Sequence, residues 1–164
     1  MKLRRKESLC EEFTQADIAN TISQLSQGIP ANASFEQSSG VELVILDYIK
    51  KLEGYRIRLR EIHWSTQKHS EHILTDNLIG ELTSHEDAVG EISMGVLGIR
   101  IKVGQVVPTM PEETDLKSLL QAAVNSAIEL KNKVEDDIAF SGLTNLLDDC
   151  IQELSKGKYL ETLS

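Results

Sequence analysis

Residues 41–64 read VELVILDYIKKLEGYRIRLREIHW, and their apolar positions decide the fold class. Ile45, Tyr48, Leu52, Tyr55, Leu59 and Ile62 step by three and four. On a helix turning about 100° per residue such steps fall on one stripe, whereas a half-buried strand would alternate. The stretch is therefore an amphipathic helix from Val41 to about Trp64, with Ser38 or Ser39 as its N-cap. The STQK segment at 65–68 reads as a turn.

Outward from this helix the same period recurs. A second helix is predicted from Lys68 or His69, with Leu74, Leu78, Leu82, Val89, Ile92 and Val96 on one face. Gly95, Gly98 and Gly104, then Pro108 and Pro111, end it and open a long connection. Within that connection GIRIKVGQVV (98–107) alternates enough to predict a short extended piece. Pro111 to Asp115 form a helix start, with acids near the positive end of the dipole. Leu116, Leu120, Ala123, Ala127, Leu130 and Val134 make a third stripe. Gly142 and Thr144 introduce a fourth helix, with Leu143, Leu147, Cys150, Ile151 and Leu154 inward. The expected class is all-α, an antiparallel four-helix bundle over residues 41–164. Residues 1–40 read as an N-terminal arm, with a short helix from Asp17 to Gln27 ended by Gly28 and Pro30.

Composition narrows the function classes. A chain of 164 residues holds one domain with a real core. No apolar run approaches the roughly 20 residues that cross a bilayer, and MKLRRKESLCEEF lacks a signal peptide's apolar stretch. A soluble, cytosolic protein with no membrane partner is expected. The net charge of −9 excludes a nucleic-acid-binding body, because phosphate contacts need a basic face. Any DNA contact is left to a basic tip of Lys2, Arg4, Arg5 and Lys6. Cys10 and Cys150 are too few for a disulfide framework, and Cys150 falls in an apolar pattern as a small core residue.

The chemistry is concentrated in IHWSTQKHSEHILTDNLIGELTSHEDAVGE (62–91), which holds all four histidines. Mixed imidazole and carboxylate ligands suit iron, manganese or zinc. His72, Asp76, Asp87 and Glu91 fall within an arc of roughly 100° on the second helix, opposite its apolar stripe. Such a row points away from the subunit's own core. As a ligand set it would need groups from another subunit, with His63 at the end of the first helix as the complement. Glu129 and Asp148 sit beside their stripes, so the bundle interior lacks its own carboxylates. A solvated acidic face is the other reading of the row. His85 falls in the apolar stripe as a hydrogen-bonded core histidine, and His69 and Glu71 are placed to cap the second helix.

At these residues the chain resembles the ferritin superfamily, and within it the Dps-like (DNA-protecting mini-ferritin) proteins. The pattern is a His-Trp pair closing the first helix, then a His with an Asp four residues on, then an Asp and a Glu three turns later. His63-Trp64, His72, Asp76, Asp87 and Glu91 occupy those positions. The segment GLTNLLDDCIQELSKGKYLETL is similar to the family's last helix, and the likeness covers roughly 41–163. It is closer to short phage-encoded Dps-like proteins, which share the HW-x-T…EH pattern seen here as HWST…EH. The resemblance implies a ferritin-like bundle that oxidises iron (Fe2+ to Fe3+) between two subunits. His63 and His72 would come from one subunit, and Asp87 and Glu91 from its partner. Two departures stand out: the interval from His63 to His72 is short, and Lys68 or His69 replaces the glycine usual in that turn. A shorter turn is the feature that would carry His72 away from the site.

Two function classes follow. The first is a Dps-like iron-binding ferroxidase, a homo-oligomer with the dimer as minimal unit, serving iron storage or oxidative protection. The second is a non-catalytic structural or assembly protein, such as a phage virion ring, connector or packaged component. Its partners would be other assembly or virion proteins, gripped by the arm.

Overall fold

The computed structural model describes residues 35–163. Their fold is all-α, with four long helices and no strand among the described residues. They are α1 (Phe35–Ser65), α2 (His69–Leu97), α3 (Leu116–Val134) and α4 (Ser141–Glu161), with a 3₁₀ turn at Ile138–Phe140 before α4. No helix is long and apolar enough to cross a membrane.

The stripes read from the sequence form one core. Ile45, Tyr48, Leu52, Tyr55, Leu59 and Ile62 of α1 are buried together with Leu78, Leu82 and Val89 of α2. All six stripe positions of α3 join them, as do Leu143, Leu147, Cys150 and Leu154 of α4. Each buried leucine withdraws apolar surface worth about 1.5–3 kcal/mol from water, which overrides modest local helix propensity. Val96 departs from the expectation and stays exposed, while its neighbour Leu97 packs against the core.

Specific pairs position the helices. Tyr48, Arg56 and His63 of α1 meet His85, Glu86 and His72 of α2. Lys51 and Tyr55 reach Glu129 and Ser126 of α3. Gln121 and Lys131 of α3 meet Lys158 and Asp148 of α4. Gly157 of α4 lies against Leu78 of α2; a Cβ there would sit 3.2 Å from that leucine.

Helix ends differ from expectation in three places. α1 begins at Phe35, so Ser38 and Ser39 lie inside it instead of capping it. Serine costs only a few tenths of a kcal/mol in a helix, and the pattern that follows carries the helix back past both. α2 has Lys68 at its N-cap with no side-chain cap bond, so His69 and Glu71 do not cap it. The segment 98–107 holds no strand, since an isolated extended piece has no neighbour to complete its hydrogen bonds. It turns at Gly104 (φ 81°), where the Gln105 amide donates to the Lys102 carbonyl at 3.0 Å. The other ends follow the sequence. Gly98 closes α2 in the left-handed region, and the Asp115 carboxylate accepts from the Ser118 amide at 2.9 Å to cap α3.

The long connection lies across α1. The Thr109 amide donates to the Lys50 carbonyl at 2.9 Å, and Arg58 donates to the Pro111 carbonyl at 3.1 Å. Gly54 makes this crossing physically feasible: a Cβ at that position would lie 1.9 Å from the Thr109 carbonyl oxygen. The expected arm and the Asp17–Gln27 helix fall outside the described residues.

Candidate functional site

α1 ends and α2 begins within three residues, 66–68, so the ends of the two helices are held side by side. His63 sits in the last turn of α1 and His72 in the first turns of α2. Their rings stack with centroids 3.8 Å apart and planes at 23°. The short turn thus brings the two histidines into contact. His63 Nδ1 lies 3.1 Å from the His72 carbonyl, and His72 Nδ1 lies 3.2 Å from the His63 carbonyl. A carbonyl can only accept, so both Nδ1 atoms carry hydrogen. In the neutral rings both Nε2 atoms are then free lone-pair donors, which is the form a metal ion takes.

Buried Thr75 supports the pair from beneath. Its hydroxyl donates toward the Glu71 carbonyl at 2.8 Å and lies 3.2 Å from His63 Nδ1. The sequence reading missed Thr75. Its sole advance signal was a hydroxyl three residues after a histidine on an amphipathic helix.

Asp76, Asp87 and Glu91 are exposed, and none makes an ion pair among the described residues. Asp76 follows His72 by one turn. Asp87 lies eleven residues beyond Asp76, a separation of about 16 Å along the helix. The five residues therefore do not converge within one chain. Among the described residues no group of three or more His, Cys, Asp or Glu is gathered to hold a metal ion. Lys2, Arg4, Arg5 and Lys6 fall outside the described residues.

A charge network borders the distal acids. Arg56 of α1 donates to Glu53 at 2.7 Å and to Glu86. Burial holds the Glu86 carboxyl above its ordinary range, against the opposing pull of Arg56. Arg56, Glu86, Asp87 and Glu91 line one open groove with Met94. Glu53 and Arg56 are i,i+3 neighbours on one helix, whereas the contact with Glu86, thirty residues away, has no local signal; neither pair was singled out from the sequence.

The interior is of a different character. His85 is 7% exposed, and its Nε2 lies 2.9 Å from the Tyr48 hydroxyl. Burial lowers its pKa to about 4, so it is neutral, and burial raises the Cys150 thiol to about 12. Both were expected as core residues. Glu129 and Asp148 point outward and pair with Lys51 and Lys131. These two acids thus serve surface ion pairs.

A family model described as a family of unknown function (DUF5856) matches residues 63–160. The chain belongs to that family. The DUF5856 match opens at His63 and closes within α4, so it spans the histidine pair, the acidic row and the α2–α4 contact. Comparison with curated proteins and with solved structures gave no match.

Proposed function

We propose that this chain is a Dps-like protein that binds Fe(II) between two copies of itself and oxidises it on a ferritin-like antiparallel bundle. The observation that carries the reading is the reciprocal His63–His72 contact. It frees two imidazole Nε2 atoms at the start of an exposed carboxylate row whose acids make no ion pair among the described residues. Support for the antiparallel arrangement comes from Tyr48–His85 with His63–His72, and from Gln121–Lys158 with Lys131–Asp148, in which residue numbers fall along one helix as they rise along its neighbour.

The spacing of the row supports the two-copy site. His72 and Asp76 are four apart, and so are Asp87 and Glu91. Two α2 helices running oppositely about a twofold axis near Leu82 would bring His72 and Asp76 alongside the partner's Glu91 and Asp87. The outer face at that midpoint carries the small residues Gly80, Thr83 and Ser84, and a Cβ added at Gly80 meets nothing within 4 Å. The imidazoles would favour Fe(II), and the carboxylates would stabilise the Fe(III) formed when oxygen or peroxide takes the electron. The net charge of −9 restricts any DNA contact to the basic tip.

The test is anaerobic Fe(II) titration, then oxygen or peroxide, with ferric absorbance as the readout. Saturable binding and fast oxidation are expected, and both disappear in the His63→Ala, Asp87→Ala double variant. Binding no better than that variant's would overturn the reading. An assembly protein that needs no metal is the second reading, favoured by Trp64, Val103, Val107 and Ile138, large apolar side chains left exposed. Loss of assembly in an arm-deleted chain, with no effect of iron, would support it.

A further inference from the structure

α2 and α4 do not close fully on one another. Between them lies a cavity of about 180 Å³, walled by Leu78, Leu82, Leu146 and Leu154. An apolar cavity of about 150 Å³ is enough to hold benzene, so this one admits a body of six or so carbons. Two polar side chains line it from the core side, His85 and Cys150, each 7% exposed. His85 uses Nε2 on Tyr48 at 2.9 Å.

The mouth is acidic. Glu81 from α2 and Asp149 and Glu153 from α4 line it, and among the described residues no lysine or arginine does. Glu153 pairs with Lys156 at 3.2 Å, whereas Glu81 and Asp149 are exposed and make no ion pair among the described residues. Apolar walls with a net anionic rim select against fatty acids and in favour of cations. We propose that the α2–α4 cavity binds a small amphiphilic amine, its hydrocarbon body among the leucines and its ammonium at Glu81 and Asp149. None of His63, His72, Asp76, Asp87 and Glu91 lines this site, and it does not depend on iron.

The test uses three probes of equal chain length: hexylamine, 1-hexanol and hexanoate. Calorimetry and chemical-shift changes at Leu78, Leu146 and Cys150 are measured on the full chain. Hexylamine is expected to bind about tenfold more tightly than hexanoate, with hexanol between them, which is the scale of two partly solvated charge contacts. The Glu81→Gln, Asp149→Asn double variant should reduce hexylamine to the level of hexanol and leave hexanol unchanged. Leu146→Trp, which fills the cavity, should abolish all three while the helical circular dichroism is retained. If that variant does not fold, the smaller filling Leu146→Phe replaces it. Binding that ignores the head-group charge, or that survives in the filled cavity, overturns the proposal. So does the absence of hexylamine binding at millimolar concentration.

Discussion

His63 and His72 each hold the other's main-chain carbonyl through Nδ1, at 3.1 and 3.2 Å, with their rings stacked 3.8 Å apart. One contact thereby joins two helix ends, sets both tautomers and leaves both Nε2 atoms uncommitted. If the proposed iron site is shared, its two halves can be inactivated in different chains. A chain carrying His63→Ala and His72→Ala, refolded together with one carrying Asp87→Ala and Glu91→Ala, forms mixed dimers in which one of two symmetry-related sites is intact. Ferric absorbance should recover in the mixture although each parent is inactive. No recovery, with mixed dimers verified by mass, would rule out a site split in this way.

Gly54 and Gly80 are both mid-helix glycines, yet they should respond oppositely to alanine. At Gly54 the new Cβ collides with the Thr109 carbonyl, a main-chain atom that cannot rotate away. Gly54→Ala should cost about 1–3 kcal/mol in urea unfolding and expose the 98–115 segment to protease. At Gly80 nothing lies within 4 Å. Gly80→Ala should stabilise the isolated chain by about 0.5–1 kcal/mol through lost backbone entropy in the unfolded state.

Stability should depend on pH through His85, whose folded pKa of about 4 lies below the ordinary 6.5. Tyr48 of α1 and Cys150 of α4 face it, and neither offers a negative charge near neutrality. Between the two pKa values the unfolded chain binds more protons, so stability is full above pH 6.5 and falls as pH drops toward 4. The total loss from this group is on the order of 3 kcal/mol. Urea midpoints of the metal-free protein across that range test it. In His85→Phe the slope should flatten, and an unchanged slope would place the titration elsewhere.

Cys150 should resist alkylation. Burial in the core raises its thiol to about 12, so almost no thiolate exists at neutral pH. Mass mapping after iodoacetamide should find Cys150 unmodified in the folded protein and fully modified in urea. Rapid labelling of the native chain would mean that the α2–α4 contact opens readily.

The four helices, their inward stripes and the acidic row on α2 were determined by the sequence alone. Period-three-and-four spacing is a local property, and burying the apolar face is the only way such helices become stable. Gly98 and Asp115 were legible as helix ends for the same reason, since their effects act over one turn. The tertiary structure decided what depends on residues distant in the chain. His63 and His72 could be placed on the right helices from their numbers, but their mutual clasp depends on how a three-residue link folds. The need for glycine at position 54 comes only from Thr109 lying against it, and Arg56 finds Glu86 only across the α1–α2 contact. The cavity beside Cys150 has no sequence signature at all, because it is the volume that two well-patterned helices fail to fill between them.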